Sequence, residues 1–514
     1  MLAELGRRSG SEWYDLQLAD RLNEPHLTQW SAWGERIDSI ELTPLWQRAH
    51  RWAAEYGLVA TGYDDALGEH ARLLQFARAW MYIPSTDFYG CPLAMTDGAA
   101  RVLADAGNDE LASRALPHLL ATDPAEFWTS GQWMTETVGG SDVGRTETTA
   151  RKDEHGTWRL TGRKWFTSAA TSEIALTLAR PEGGRQQDGE GSRGLALFYL
   201  EPRDGDGCLQ NIEILRLKDK LGTRKLPTAE LWLDGAPATP VAGLERGVAA
   251  IAPMLNITRT WNAVTACALM QRALALADDY AGKREAFGKP LADLPLHRET
   301  LADLEADRAA ASCAALSVID LLGIVEHGVE HGVEHGGDDD DRAALRLLTP
   351  LIKLGTARDA VAVVSEALEA IGGAGYIEDT GIPQLLRDVQ VLSIWEGTTN
   401  VLSLDALRAI ASVGIRPWMQ RLEQRLDGCR QPALAGRVER ARDALSAVPG
   451  WLEPGPEALE PQARRLALNL YRLTGLVELL GLADHWLARD DDRPLAVARH
   501  YQDLRFRLEP LRGR

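Results

Sequence analysis

Residues 393–400 read Ser-Ile-Trp-Glu-Gly-Thr-Thr-Asn, and this stretch carries the strongest chemical signal in the chain. It places the carboxylate of Glu396 after a large apolar aromatic residue, Trp395, and before Gly397. Apolar surroundings disfavour the charged form of a carboxylate, which suits a base that removes a weakly acidic proton near neutral pH. The glycine allows the backbone to turn and to approach a ligand closely. A glutamate near the start of a helix is more often a capping or solvated residue, so this stretch alone leaves both interpretations open.

Two polar stretches far upstream contain groups that suit a planar or anionic ligand. Residues 134–143 read Met-Thr-Glu-Thr-Val-Gly-Gly-Ser-Asp-Val, where small and hydroxyl-bearing residues leave backbone N–H groups accessible. Residues 164–168 read Lys-Trp-Phe-Thr-Ser and end a strand-like pattern. Here Trp165 can stack on a ring while Thr167 hydrogen-bonds to its edge. Taken alone, an ordinary turn and a strand tryptophan packed in the core are the simpler explanations.

Two glycine-containing stretches lie in helical surroundings. Residues 284–290 read Arg-Glu-Ala-Phe-Gly-Lys-Pro, and residues 369–376 read Glu-Ala-Ile-Gly-Gly-Ala-Gly-Tyr. The guanidinium of Arg284 is suited to pairing with a pyrophosphate, and the glycines permit close backbone approach. A surface arginine and a glycine that ends a helix are the alternative interpretations.

The hydrophobic pattern divides the chain into four regions. Residues 1–129 have mainly helical periodicity, and residues 130–243 alternate with a period of two between Gly and Pro breaks. Helical periodicity returns over residues 244–414 as long Ala/Leu-rich stretches, which are typical of a bundle. We therefore predict an α+β multidomain fold: an N-terminal α-helical domain, a central antiparallel β domain, a C-terminal helical bundle and an added helical domain over residues 415–514.

Composition excludes several classes of protein. The chain has 514 residues and a formal net charge of −18, so as a whole it should not attract phosphate polyanions. Its five cysteines are odd in number and form no CxxC pair, which predicts reduced thiols in a cytoplasmic protein. The N-terminal stretch lacks the apolar core of a signal peptide, and no apolar run has the length of a membrane span, so we expect no membrane association.

Two further features bear on metals and nucleic acid. A tandem Val-Glu-His-Gly repeat occupies residues 325–336 and precedes four aspartates. Such a tract can bind a metal, but a solvated loop grown by repeat slippage explains it better, so we expect no metal site. Residues 415–514 contain 17 arginines, 14 acidic residues and no lysine, and are therefore near +3. Arginines 416, 421, 425, 430, 437, 440 and 442 could form a basic surface, or could be solvated or take part in salt bridges.

Taken in order, these motifs resemble those of the acyl-CoA dehydrogenase family. The resemblance covers about residues 75–410 and rests on the order and spacing of five stretches. They are Thr135-Glu136 with Gly140-Ser141-Asp142, Lys164-Trp165, Arg284 with Phe287-Gly288, Gly372-Gly373 with Gly375-Tyr376, and Trp395-Glu396-Gly397-Thr398. Within the family the chain is similar to the DNA-alkylation-response branch, the AidB type, through residues 139–143, 216–222, 394–397 and 404–408 and through its C-terminal helical extension.

The resemblance implies a fold and a cofactor. Family members have an α-helical domain, a β domain and a four-helix bundle, bind FAD between the last two, and are usually homotetramers. It implies that the following residues contact FAD: Met134, Thr135, Gly140, Ser141, Trp165, Thr167, Arg284, Phe287, Gly372, Gly373, Thr398 and Asn400. Arg284, Phe287 and the two glycines would contact the FAD of a neighbouring subunit.

The resemblance also implies α,β-dehydrogenation of an acyl-CoA thioester. Glu396 would remove the α proton while N5 of the flavin takes a hydride from Cβ. In the family, the backbone N–H equivalent to that of Glu396 and a flavin ribityl hydroxyl bind the thioester carbonyl, where enolate charge develops. Ser141, Arg259, Trp395 and Gly397 are expected around the substrate, and Arg259 is expected either to support the Glu396 stretch or to join an interhelical network. Electron-transfer flavoprotein or a similar carrier would accept the electrons.

Two other functions are compatible with this resemblance. One is a DNA-associated flavoprotein of the alkylation response, in which dehydrogenase activity is weak or residual. For this function the charge distribution predicts weak DNA binding at most. The other is an oxidase, such as an acyl-CoA or nitroalkane oxidase, although nitroalkane oxidases carry aspartate as the base and this chain has Glu396.

Overall fold

The computed structural model describes residues 1–182, 191–327 and 339–511. The chain divides into two compact units. The first contains Met1–Tyr63 and Met81–Thr258, and the second contains Asp64–Trp80 and Arg259–Arg514. One short segment of the N-terminal region therefore belongs to the same unit as the C-terminal helices.

The N-terminal region is mainly helical, but it also contains a β-hairpin. Its elements are α1 (Leu2–Ser9), α2 (Glu12–Ala19), β1 (His26–Trp30), β2 (Arg36–Glu41), α3 (Pro44–Glu55), α4 (Ala71–Tyr82), α5 (Gly90–Asp105) and α6 (Asp109–Leu119). β1 and β2 pair antiparallel. Only Asp38 among the hairpin side chains is fully buried, so the hydrophobic alternation that would reveal these strands in the sequence is weak.

In the part of the chain that the structure describes, seven strands form the central β domain. They are β3 (Ser130–Trp133), β4 (Thr149–Lys152), β5 (Trp158–Thr167), β6 (Ile174–Pro181), β7 (Ala196–Leu200), β8 (Ile212–Leu217) and β9 (Ala229–Pro240). The pairings close on themselves in the order β6–β4–β5–β9–β7–β6, with β3 added at β6 and β8 at β9. The core of this ring contains Trp133, Leu160, Phe198, Ile214 and Leu231, each at most 1% exposed.

The predicted β domain is confirmed, but its pairing is not entirely antiparallel. β3 and β4 both pair parallel with β6, whereas the other pairings are antiparallel. The β4–β5 hairpin lies between β3 and β6 along the chain, and the chain returns in the same direction. Alternation reports which side chains are buried and carries no information about strand direction, so the sequence pattern alone could not show these parallel pairs.

Long helices follow the β domain, as predicted. The elements are α7 (Gly247–Ala250), α8 (Ala252–Lys283), β10 (Glu285–Ala286), β11 (Lys289–Pro290), α9 (Pro295–His327), α10 (Asp339–Ile371), α11 (Ile382–Val389) and α12 (Thr399–Val413). α10 packs against both α9 and α12. In the second unit α4 packs on α8, where the rings of Phe76 and Trp261 lie 5.3 Å apart.

Over residues 415–511, the C-terminal region adds six α-helices to the second unit. They are α13 (Arg416–Gly428), α14 (Ala435–Ser446), α15 (Val448–Leu452), α16 (Pro456–Leu459), α17 (Ala463–Leu487) and α18 (Arg493–His500). α17 packs on α9, α10 and α12. At Gly355 a Cβ atom would lie 2.2 Å from the Tyr471 ring, so the absence of a side chain on α10 allows α17 to approach closely. The predicted added helical domain therefore packs directly on the bundle.

Two expectations about long segments have different outcomes: the first falls largely on residues that the structure does not describe, and the second is wrong as stated. Residues 328–336 of the Val-Glu-His-Gly repeat lie outside the described residues. The expectation that no segment reaches the length of a membrane span is wrong by length and composition, since two helical segments, Pro295–His327 and Pro456–Leu487, do so. However, 67% and 78% of their most apolar windows lie buried inside the protein, which is the behaviour of core helices.

Candidate active site

Glu396 lies in a tight turn between a 3₁₀ segment, Gln390–Ser393, and α12. Its φ is +55° and that of Gly397 is +102°, so the turn passes through a region that residues with a Cβ rarely adopt. Glycine is needed at position 397, because a Cβ there would lie 2.8 Å from Leu402 Cδ2. Thr398 then caps α12, its hydroxyl accepting a backbone N–H of the first turn at 3.5 Å. The sequence Glu-Gly-Thr thus fixes where the carboxylate is presented.

Three successive carbonyls of this turn accept hydrogen bonds from cationic side chains. Lys353 Nζ, on α10, donates to Trp395 O at 2.6 Å and to Gly397 O at 2.7 Å. Arg259 Nε, on α8, donates to the carbonyl oxygen of Glu396 at 3.3 Å. Lys353 is 1% exposed, whereas Glu396 is half-buried. Side chains of two long helices therefore hold the turn.

Burial and neighbouring charges shift the pKa values around the turn. Burial lowers the pKa of Lys353 to about 7, against the opposing effect of the Glu396 carboxylate. On α12, Asp405 accepts from Arg259 Nη1 at 3.0 Å and from Arg346 Nη2 at 2.6 Å. Burial alone would raise the pKa of Asp405, but the Arg346 hydrogen bond and the guanidinium charges outweigh it and lower that pKa. Asp405 is therefore ionised at neutral pH and fixes Arg259 in place.

Sequence reasoning did not identify Lys353, Arg346 or Asp405 as part of this region. One signal was available for the lysine. Lys353 is the single charged residue in the apolar helical stretch 351–354, and a lysine is almost never fully buried unless its ammonium is paired. The carboxylate of Asp405 gives no comparable signal, since acidic residues on helices are usually solvated.

The two other predicted sites of the second unit lie at exposed turns. β10 and β11 form a short hairpin whose tip carries Phe287, with φ +53° and 95% of its surface exposed. Arg284, just before the hairpin, is also exposed. In the other turn Gly372 has φ +72° and Gly373 is exposed. A Cβ on Gly375 would lie 2.3 Å from Leu368 O, so this glycine is required by packing.

The β domain brings two predicted FAD contacts together. Trp165 N donates to Thr135 O at 2.9 Å, so the residues of two separate motifs are neighbours. The loop is closed by reciprocal backbone hydrogen bonds between Glu136 and Gly139, at 3.1 and 3.2 Å. Residues 140–141 are exposed beyond that closure, and Met134 is half-buried before it.

A buried ion pair anchors this loop. Lys164 Nζ donates to Glu136 Oε1 at 2.7 Å and to Leu178 O at 2.9 Å. The carboxylate also accepts from Thr148 Oγ1 at 2.6 Å and Glu147 N at 2.7 Å. Burial alone would raise the pKa of Glu136, but the charge of Lys164 and these hydrogen bonds lower it. Glu136 and Lys164 belong to the matched motifs, but nothing in the sequence pattern indicates that they form a pair.

The ring of Trp165, in the 164–168 stretch, contacts the ammonium of a lysine. Lys218 Nζ lies 3.2 Å from the centre of the Trp165 ring, a cation–π contact. The same ammonium donates to Glu230 Oε1 at 2.8 Å. Thr167 is fully buried, and its hydroxyl donates to Ala229 O at 2.6 Å. In this structure the proton of that hydroxyl is therefore used within the sheet rather than offered to a ligand.

Taken unit by unit, these residues fit FAD. The β domain offers the half-exposed ring of Trp165 and the exposed backbone of residues 140–141. In the second unit Thr398 and Asn400 are exposed at the N-terminus of α12, where a helix favours anionic groups. The exposed guanidinium of Arg284 adds a partner for phosphate. Aromatic, hydroxyl and cationic groups suited to a flavin and its pyrophosphate are all present.

Two other candidate sites are largely occupied by internal contacts. Five of the seven C-terminal arginines pair with carboxylates of their own unit: Arg421 with Asp320, Arg425 with Glu478, Arg437 and Arg440 with Asp503, and Arg442 with Asp427. Glu299, Asp303 and His500 bring possible metal-ligand atoms within 4.8 Å of one another. His500 Nε2 already lies 2.7 Å from Asp303 Oδ1, so these contacts attach α18 to α9.

Comparison with known proteins agrees with this geometry. The family models described as "Adaptive response protein AidB N-terminal domain", "Acyl-CoA dehydrogenase, middle domain" and "Acyl-CoA dehydrogenase, C-terminal domain" match residues 1–123, 131–236 and 245–411. Acyl-CoA dehydrogenase family member 11 of Caenorhabditis elegans is 40% identical, over 96% of this chain and 82% of that protein. AidB of Escherichia coli is 30% identical, over 80% of this chain and 73% of that protein.

A solved structure extends the likeness to three dimensions. The crystal structure of Caenorhabditis elegans ACDH-11 in complex with C11-CoA has a TM-score of 0.93 and 39% identity, and the match covers 99% of this chain and 87% of that one. The similarity thus includes the C-terminal extension as well as the three family domains. The chain belongs to the acyl-CoA dehydrogenase family of FAD-dependent oxidoreductases, and its N-terminal region is of the AidB type.

Proposed function

We propose that this protein catalyses the α,β-dehydrogenation of an acyl-CoA thioester, with Glu396 as the base. The observation that carries the proposal is the turn at Glu396. A family motif places a carboxylate in an unfavourable backbone conformation, and the buried Lys353 and the half-buried Arg259 hold it there. Strained backbone retained in this way is typical of functional sites.

The chemistry balances as the loss of two hydrogens. The Cα–H bond breaks and its proton goes to the Glu396 carboxylate, the Cβ–H bond breaks with its electron pair, and a Cα=Cβ double bond forms. FAD, when bound, supplies the acceptor for the Cβ hydride. We assign the backbone N–H of Glu396 to the thioester oxygen, where it would stabilise enolate charge. Ser141, Trp395, Gly397 and Arg259 are assigned to the surroundings of the substrate, Arg259 through the carbonyl of Glu396.

The test is anaerobic bleaching of the flavin by acyl-CoAs. Straight-chain acyl-CoAs from short to long should be used, and C11-CoA should be included because the structural relative was solved with it. We expect the wild type to bleach and to yield the enoyl-CoA, and Glu396→Gln to bind FAD without bleaching. Glu366→Gln is the matched control, since Glu366 is an exposed carboxylate on α10 outside the predicted cofactor stretches. Wild-type protein that binds FAD but is bleached by no acyl-CoA would refute the proposal.

We further propose that the enzyme is a homotetramer. Phe287 and Arg284 are exposed at the tip of a hairpin and before it, and Tyr376, in the glycine turn, is 81% exposed. Large exposed apolar side chains in two predicted cofactor motifs are well suited to contacts with a second subunit. Light scattering of the FAD-bound protein tests this, and a monomer at micromolar concentration would contradict it.

The electron acceptor and the cellular location of the enzyme are also proposals. We assign electron-transfer flavoprotein or a similar carrier as the electron acceptor, by resemblance to the family. We place the protein in the cytoplasm, and the five cysteines support this because all are free thiols. Steady-state turnover with purified electron-transfer flavoprotein, and cell fractionation, are the respective measurements.

A DNA-associated role is the second candidate function. It is favoured by the AidB type of N-terminal region and by the arginine-rich C-terminal region. The pairing of Arg437, Arg440 and Arg442 with carboxylates weakens it, because strong non-specific binding needs several cations that can contact phosphates. We therefore rank this role below dehydrogenation, with weak and salt-sensitive DNA binding.

A further inference from the structure

Lys353 contacts the Glu396 turn on both sides of the proposed base. Its ammonium bridges Trp395 O and Gly397 O at 2.6 and 2.7 Å. These two carbonyls belong to the peptide groups that precede Glu396 and follow Gly397. One side chain therefore fixes both ends of the two-residue segment that contains the positive φ values.

The planarity of the peptide bond extends this control to an N–H group. In a trans peptide the N–H points opposite to the C=O of the same unit. The carbonyl of Trp395 and the N–H of Glu396 belong to one such unit. By orienting that carbonyl towards its ammonium, Lys353 directs the N–H of Glu396 to the opposite face of the turn. This N–H is the group assigned above to the thioester oxygen.

The surroundings of Lys353 make this contact specific. Its helical neighbours Leu351, Ile352 and Leu354 are each at most 1% exposed, so the ammonium is buried and needs polar partners. Arg346 lies two turns earlier on the same face of α10 and binds Asp405, which in turn binds Arg259. One face of α10 therefore contacts the turn directly, through Lys353. It also contacts the turn indirectly, because Arg346 binds Asp405, which holds Arg259.

We infer that Lys353 is a positioning residue for the dehydrogenation: by binding the carbonyls of Trp395 and Gly397 it sets the direction of the Glu396 N–H and the place of the Glu396 carboxylate. The inference rests on the proposed function. Lys353 does not touch the reacting atoms, and its effect is exerted through the backbone of the turn. It should therefore matter more in the transition state than in substrate binding, because enolate charge develops only as the α proton leaves.

The experiment compares Lys353→Met with the wild type and with Lys152→Met, a matched control at an exposed lysine of β4. All three proteins are loaded with FAD, and anaerobic flavin reduction is measured as a function of acyl-CoA concentration. We expect the limiting reduction rate of Lys353→Met to fall about 10²-fold, with acyl-CoA affinity changed far less. Amide hydrogen exchange over residues 393–398 should become faster in this variant alone.

A second variant keeps the inference testable if Lys353→Met fails to fold. Lys353→Arg retains the buried charge but displaces its donors. This variant should bind FAD, and its flavin should be reduced more slowly than in the wild type but faster than in Lys353→Met. If a folded Lys353 variant has the wild-type limiting rate while Glu396→Gln is inactive, the inference about Lys353 is wrong and the proposed function still stands. A Glu396→Gln variant that is reduced at the wild-type rate would overturn the proposed function and the inference with it. Loss of acyl-CoA affinity with an unchanged limiting rate would assign Lys353 to binding and also overturn the inference.

Discussion

Removing the ammonium of Lys164 should destabilise the β domain and change its dependence on pH. Lys164 is fully buried and its partner Glu136 is 4% exposed, so a Lys164→Met variant leaves a carboxylate in the interior without its counter-ion. Breaking a buried ion pair by removing one partner costs about 3–5 kcal/mol. Glu136 keeps hydrogen bonds from Thr148 and Glu147, so we expect the lower end, about 3 kcal/mol.

The pH dependence provides a sharper test than the magnitude. In the wild type the pKa of Glu136 is lowered, so the pair contributes stability above the ordinary glutamate pKa and loses it as pH falls through the lowered value. Without Lys164, burial dominates and raises the pKa of Glu136. The variant then gains stability relative to the wild type as Glu136 takes up a proton. The difference in free energy of unfolding between the wild type and Lys164→Met should therefore become smaller as the pH is lowered from neutral to about 5.

Amide hydrogen exchange of β5 and β9 measures the stability of the β domain itself. A local probe is needed because the chain has two compact units, which can unfold separately. A loss of about 3 kcal/mol corresponds to exchange about 10²-fold faster in the slowest amides of these strands. Lys152→Met, at an exposed lysine of β4, should leave these rates unchanged. Unchanged exchange in Lys164→Met, or a difference from wild type that widens as pH falls, would show that the pair does not anchor the domain.

Three further predictions concern the turn, the assembly and DNA. Gly397→Ala should destabilise the second unit by about 1–3 kcal/mol more than a Gly→Ala change at a position with an ordinary φ. The control Gly414→Ala has a similar positive φ, +77°, but open space around its Cβ position. The difference between the two melting temperatures therefore reports the clash with Leu402. Phe287→Ser should shift the FAD-bound protein towards smaller species in light scattering without loss of helical circular dichroism, and an unchanged tetramer would remove this residue from the interface. Anisotropy titration with duplex DNA should show weak binding that falls steeply with salt; submicromolar affinity at physiological salt, abolished by charge reversal at Arg437, Arg440 and Arg442, would place the DNA role first.

The parts of the fold that local periodicity determines were predictable from sequence. The alternation around Leu160 and Leu231 gave the β domain, and both side chains lie in its core. The parallel pairing of β3 with β6 was not predictable, because strand direction depends on contacts between segments distant in the chain. The β1–β2 hairpin was missed because its side chains are mostly exposed and leave little hydrophobic pattern.

The candidate site shows the same division. The motif at residues 393–400 identified Glu396 because its residue types and order are distinctive. The contacts that orient it come from Lys353 and Arg259, 43 and 137 positions away along the chain. Such a contact depends on how α8 and α10 pack around the turn. A sequence motif therefore located the proposed base, and support from Arg259 was one of the two roles that the family resemblance offered for that residue. The contacts of Lys353 were shown only by the structure.

Removal of the α proton by Glu396 can be tested by single-turnover flavin reduction with isotopically labelled substrate. FAD-loaded wild type and Glu396→Gln are mixed anaerobically with an acyl-CoA whose α hydrogens are either protium or deuterium, and flavin absorbance is followed. If Glu396 is the base, α-deuteration slows flavin reduction in the wild type, and Glu396→Gln is reduced about 10²–10⁴-fold more slowly while it retains FAD and acyl-CoA binding. A Glu396→Gln variant reduced at the wild-type rate, together with no effect of α-deuteration on the wild type, would contradict it.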